Sequence, residues 1–146
     1  MTQPILPPAP RPCASCPYRV DVPSGVWDPS EYAKLPEYDN DTMGQPTGVF
    51  LCHQVNGRTC AGWAGCHDMT HSLALRLAIS TGAVDETTTD AILDYTTDVE
   101  LFPSGRAAAD HGMARVANPD DDAQQAMNKI TRRRAAVGRP VERNQP

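Results

Sequence analysis

Three of the chain's five cysteines (Cys52, Cys60, Cys66) and three of its four histidines (His53, His67, His71) fall within residues 50–71, FLCHQVNGRTCAGWAGCHDMTH. The other two cysteines, Cys13 and Cys16, form a CxxC near the N-terminus. Soft ligands at this density point to a metal. Two cysteines spaced by two residues reach one ion from a tight turn, and zinc takes four Cys or His ligands in a tetrahedron. An iron–sulfur cluster commonly takes four thiolates. Cys13, Cys16, Cys52 and Cys60 make a complete thiolate set if the CxxC folds back onto the second stretch. Cys66 is then the spare, although it can replace Cys52 or Cys60. We take Zn2+ as the metal, with a [4Fe–4S] cluster as the alternative. Buried free thiols packed as small hydrophobes would explain Cys52 inside VFLCHQV, but not a CxxC in a proline-rich loop.

Other chemistries fit less well. A thioredoxin-like redox pair needs a strand before the CxxC and a helix starting at its first cysteine. Here prolines precede it and Pro17 follows. HDMTH at 67–71 would set His67 and His71 on one helix face, but Asp68 is one methylene shorter than the glutamate of a zinc protease. We assign His67 a supporting role beside the cysteine site, with His53 as another substitute or supporting residue, and His71 a place on the surface. Neither GxGxxG nor GxxxxGK[ST] occurs, so no nucleotide loop is expected. Adjacent Cys–His pairs on a strand point to opposite faces, which disfavours a Cys–His hydrolase. The site carries no evident open-shell water chemistry, so the reading leans away from an enzyme.

The elements around these residues can be read in order. Residues 1–12 carry prolines 4, 7, 8, 10 and 12 and read as a flexible lead. Asp28, Pro29 and Glu31 signal a short helix start, ending near Leu35, with Trp27 packing just ahead of the cap. Residues 49–55 read as a short strand or buried extended segment, and NGR at 56–58 as a turn. Small residues between Cys60 and Cys66 permit close backbone approach. Met69, Leu73 and Leu77 at i, i+4 and i+8 predict a helix ended by Gly82. Further helices are expected over 85–101, 104–117 and from Pro119 onward, the last with acids in its first turn and arginines in its last. The expected fold is α+β but mainly helical, with a small metal-stapled N-terminal half containing short strands and with C-terminal helices. Residues 13–134 form one metal-binding domain, divided into a cysteine module (13–68) and a helical part (69–134), and 135–146 are a disordered tail.

Composition sets bounds. At 146 residues, with 40% hydrophobic and 5% aromatic residues, the chain supports one modest core. Small cores often use a metal staple. No long apolar run suggests a membrane span. No basic start with an apolar block marks a secretory signal, so a cytoplasmic location is expected, where clustered cysteines are more often ligands than disulfides. A net charge of −5 disfavours nucleic-acid binding by the whole surface. Residues 85–122 are acidic and 123–146 basic, so Arg132, Arg133 and Arg134 are candidate phosphate contacts; a solvated helix end is the plainer explanation. The expected partner is a macromolecule, protein rather than nucleic acid.

RPCASCPYR, DVPSGVW, FLCHQVNGRTCAGW and GCHD together resemble a family of uncharacterised proteins from actinobacteria and their phages. That family shares a CxxCP-Y/W-R element and a later CH…CAGW element. The resemblance covers residues 11–68. It implies Cys13, Cys16, Cys52 and Cys60 as the shared ligand set and an accessory or regulatory role, in the host cytoplasm if the chain is phage-encoded. It implies no reaction.

Overall fold

The computed structural model describes residues 4–52, 55 and 57–136. Among them are six α-helices: α1 (Pro29–Ala33), α2 (Ala61–Cys66), α3 (Leu73–Thr81), α4 (Glu86–Leu93), α5 (Gly105–Met113) and α6 (Asp121–Ala136). Three 3-10 turns, Pro36–Asp39, Thr42–Gly44 and Met69–His71, link them. No helix among the described residues is long and apolar enough to cross a membrane.

Local chemistry starts most of these helices. Asp28, Ser72, Asp85 and Ser104 each place a side-chain oxygen on a first-turn N–H of α1, α3, α4 and α5, satisfying donors that have no partner within the helix. α6 has Asp121 and Asp122 in its first turn and Arg133 and Arg134 in its last, as the helix dipole favours. α3 ends at Gly82 in the left-handed region, φ 76°. Nothing lies within 4 Å of a Cβ built there, so Gly82→Ala carries only the backbone cost. Urea unfolding should show a loss of about 1 kcal/mol, part of it recovered by Gly82→Asn.

Of the expected strand or buried extended segment over 49–55, residues 53 and 54 lie outside the described residues; among the described ones, Leu51 makes one antiparallel bridge with Thr59. It is flanked by Cys60 N–H to Phe50 O at 2.9 Å and Cys52 N–H to Arg58 O at 2.7 Å. Phe50 is buried, and Leu51 is 41% exposed. Among the described residues the remaining β pairing is two isolated bridges, Leu6 with Arg58 and Arg19 with Leu101. The α+β expectation therefore reduces to a mainly helical fold. Gly57 takes φ 77° in the turn that NGR predicts.

On α3, Ala74, Leu75 and Ala78 are buried, as is Met69 ahead of it, while Leu77 at the expected i+8 position is 38% exposed. Met69 belongs to a separate 3-10 turn, and Ser72 restarts the helix with a new phase. Within the proline-rich lead, residues 5 and 6 make backbone hydrogen bonds to distant segments. Ile5 N–H bonds Ala83 O at 3.1 Å, Leu6 N–H bonds Gly57 O at 2.8 Å, and the Thr59 N–H bonds Leu6 O at 3.0 Å. Residues 1–3 and the expected tail from 137 onward lie outside the described residues; Ala135 and Ala136 are helical.

The core joins the two halves of the sequence. Tyr18, Val26, Tyr32, Leu35, Trp63, Leu75, Ile92 and Ala108 are fully or nearly fully buried in one cluster. α5 packs on α1 and on the turn Pro36–Asp39. Gly112 makes that approach feasible, since a Cβ there would stand 2.1 Å from the Tyr32 ring. α6 closes the base through Ala123 and Ile130.

Candidate metal centre

Two local structures carry the cysteines. The first is the CASC turn, closed by Cys16 N–H to Cys13 O at 3.0 Å and continued by Arg19 N–H to Cys16 O at 3.0 Å. The Tyr18 N–H also donates to the Cys16 sulfur. From outside, the indole Nε1 of Trp27 donates to Ser15 O at 2.7 Å and pins the turn. Residues 18–20 are tied to 100–102 through Val20 N–H to Glu100 O and Phe102 N–H to Tyr18 O.

The second is the pairing of 50–52 with 58–60. Side chains alternate along paired segments, so Cys52 and Cys60 share the face opposite Leu51 and Thr59. Cys60 then becomes the N-cap of α2, its sulfur accepting the Trp63 N–H at 3.5 Å. The small-residue stretch between Cys60 and Cys66 is this helix. Two glycines in six residues gave no propensity signal for it. The glycine at 62 serves contact: a Cβ there would lie 2.3 Å from the Cys16 sulfur and 2.8 Å from Tyr18 Cβ.

The fold brings the CxxC turn against the segment that carries Cys60: the Cys16 and Cys60 sulfurs are 3.9 Å apart. The Cys13 sulfur stands 3.9 Å from the Ser15 hydroxyl, and the titration of Cys13 feels both Cys16 and Cys52. All five cysteines are free thiols, and 3.9 Å is far from the ~2.05 Å of a disulfide bond. It is the separation of two thiols in contact, near the roughly 3.8 Å sulfur–sulfur edge that 2.3 Å zinc–thiolate bonds set. Among the described residues, no group of three or more Cys, His, Asp or Glu side chains is arranged so that it could hold a metal ion. The donor set is of the type zinc takes, four soft sulfurs, and the Cys60 sulfur already accepts a backbone N–H.

Contact with Cys16 and burial, opposed by the Cys52 hydrogen bond, push Cys13 up to about 11. Cys16 is also raised: the Cys13 hydrogen bond lowers it, but Cys60, burial and neighbouring charge prevail. Crowded thiols resist ionising without a cation, and a divalent ion reverses that balance and releases protons. Arg19 bonds Asp21 at 2.8 Å, which raises its pKa, and donates to Pro12 O at 3.0 Å. Tyr18, Arg19 and Gly62 were not singled out from the sequence as site residues. The signal was their place inside CxxCPYR and CAGW.

Cys66 and His67 lie elsewhere, lining a cavity of about 360 Å3 with Tyr38, Trp63 and Asp39. Burial, with the Asp39 carboxylate, pushes Cys66 up to about 12. The His67 Nε2 stands 3.3 Å from the Tyr18 hydroxyl, and its Nδ1 stands 3.8 Å from Asp39. His67 therefore reaches the cysteine site only through Tyr18, which packs on Gly62. His71 is exposed in its own turn, and Asp68 caps Thr70, so His67 and His71 do not share a helix. His53 lies outside the described residues. Arg134 sits over Trp27 with its guanidinium carbon 5.9 Å from the ring centroid, while Arg132 and Arg133 are exposed.

Burial holds the His67 pKa below its ordinary 6.5, against the opposing pull of Asp39. Between the folded value and 6.5 the unfolded chain binds more protons, so stability rises with pH there. Stability should accordingly fall as pH drops below 6.5. Thermal unfolding of His67→Gln across pH 5–7 should show a flatter slope than the parent; equal slopes would remove His67 as the source.

No curated protein and no solved structure matches the chain. A family model matches residues 8–134, a span that contains all four clustered cysteines and all six helices up to Arg134. The chain belongs to the family of unknown function DUF6283.

Proposed function

We propose that this protein is a zinc-stapled binding protein rather than an enzyme. Cys13, Cys16, Cys52 and Cys60 hold one Zn2+, and the folded surface engages a partner macromolecule in an accessory or regulatory role. The observation that carries the metal is the 3.9 Å separation of the Cys16 and Cys60 sulfurs, with the titration of Cys13 feeling both Cys16 and Cys52. Four protein ligands leave no open position for a reacting water, the mark of a structural rather than catalytic site. A protein partner suits the net charge of −5 better than nucleic acid does, and Arg134 is engaged with Trp27. Cytoplasmic action suits four reduced thiols, and the motif resemblance supports a setting in actinobacteria or their phages.

Elemental analysis with a visible spectrum on protein purified without oxygen tests the metal. One zinc per chain and no colour is the expected result. Iron with sulfide would replace zinc by a cluster, and no metal would defeat the reading. Cys66→Ser should keep full metal content, because Cys66 lies against a different cavity. Loss of metal in that variant would reassign the ligand set.

A further inference from the structure

The cavity of about 360 Å3 beside Cys66 is a separate place in the fold, since neither Cys13, Cys16, Cys52 nor Cys60 lines it. Tyr38, Trp63 and His67 supply its aromatic wall, and Asp39 and Asp68 its carboxylates. No lysine or arginine among the described residues lines it. The Tyr38 ring centroid lies 5.6 Å from that of Trp63, at 75°, and 6.3 Å from that of His67, at 43°, so the rings form a corner rather than a flat stack. The Trp63 Nε1 is buried without a partner, so the indole meets the cavity through ring carbon. Asp39 is fixed in position: its two carboxylate oxygens accept the Gly105 N–H at 2.7 Å and the Arg106 N–H at 2.8 Å. The carboxylate thereby takes the α5 donors that an anion would need, and each of its oxygens keeps a further lone pair. Its charge reaches the neighbouring wall. His67 Nδ1 stands 3.8 Å from Oδ1, and Cys66, raised by burial, is raised further by Asp39. Cys66 at about 12 and His67 below 6.5 both stay uncharged near neutral pH.

We propose that this cavity binds a small organic cation: an alkylammonium group packs its carbons against Tyr38, Trp63 and His67 and sets its charge toward Asp39. Ring faces attract such a cation, and the carboxylate is already held in place, so little ordering is lost on binding. The volume lies in the range of small-molecule sites. Other ligand classes suit the cavity less. An anion would meet two carboxylates and no cation. A neutral apolar ligand would strip water from Asp39 without replacing its hydrogen bonds. A bare metal ion lacks three suitable ligands among the described residues. A free quaternary or primary ammonium compound and the lysine side chain of a bound protein present the same chemistry.

The experiment titrates the full chain, at low ionic strength, with choline and separately with acetyl-lysine amide, and follows nuclear magnetic resonance shifts. Controls are the neutral isostere of choline with carbon in place of nitrogen, sodium acetate, and sodium chloride at matched strength. The expected result is saturable shifts at the His67 ring and at the Asn40 and Gln45 side-chain amides, which also line the cavity. The neutral isostere should bind about tenfold more weakly. Tighter binding of choline marks a free ligand, and tighter binding of acetyl-lysine amide marks the side chain of a partner; either supports the site. Tyr38→Leu should weaken the cation by about fivefold and Asp39→Asn by about tenfold. Melting temperatures are read alongside. Tyr38→Leu leaves the Asp39 contact with α5 in place, so it keeps the test if Asp39→Asn loosens that helix. Equal binding of the isostere, the same shifts with sodium chloride, tighter binding of acetate, unchanged affinity in a folded Tyr38→Leu, or no saturable shift with either cation would each overturn it.

Discussion

Replacing Cys16 with serine is expected to abolish zinc binding and unfold the cysteine module. Cys16 is the most buried of the four thiols, at 1% exposure, and it contacts Cys60 directly and Cys13 through the turn. A serine hydroxyl is a poor soft ligand, and three thiolates would be left crowded without a full shell. Binding of structural zinc is worth about 10–16 kcal/mol in small zinc-stapled domains, comparable with the roughly 5–15 kcal/mol net stability of a whole domain. So modest a core, with few aromatic residues, cannot offset that loss. Near-ultraviolet circular dichroism should collapse, because Tyr18, Trp27 and Trp63 all pack around the centre. Chelator should produce the same change in the parent. A Cys16→Ser protein with full zinc and an unchanged melting temperature would sink the four-thiol centre.

Gly62→Ala should have the second-largest effect, and its sign is diagnostic. On an exposed helix alanine would stabilise by about 1 kcal/mol over glycine. Here the added methyl would fall 2.3 Å from the Cys16 sulfur and 2.8 Å from Tyr18 Cβ. Both neighbours are themselves fixed, Cys16 by its turn and Tyr18 by full burial. Overpacking of this kind costs about 1–3 kcal/mol, so destabilisation prevails. Because the displaced atom is a proposed zinc ligand, zinc affinity should fall along with the melting temperature. Competition with a chromogenic chelator and thermal unfolding measure the two effects separately. A variant more stable than the parent, with the same zinc affinity, would show that α2 and the CASC turn do not meet as described.

Much of the fold was legible in local chemistry. Asp28 with Pro29, the acids ahead of α4 and α6, and the glycine after α3 act through hydrogen bonds and backbone angles within a few residues, so the sequence exposes them directly. The segments it misrepresented are those whose state depends on distant neighbours. VFLCHQV has strand composition, but among the described residues Leu51 makes only an isolated bridge. CAGWAGC, with two glycines, carries little helix propensity, yet it is helical where Cys60 caps it and Gly62 lets it close on the CxxC turn. On α3, Leu77 is exposed because the 3-10 turn at Met69 interrupts the helix that the spacing runs through.

By itself the sequence determined the inventory: five cysteines at spacings suited to shared ligation, the turn that lets a CxxC face inward, and the helix starts and stops. Only the tertiary structure decided which cysteines meet. Cys66 is six residues from Cys60, and Cys16 is 44 residues away. Yet Cys16 is the neighbour, because the N-cap aims Cys60 back at the CxxC turn while Cys66, one helix later, faces the cavity beside His67. Spacing counts residues along the chain; ligation depends on the direction in which packed backbone aims each sulfur.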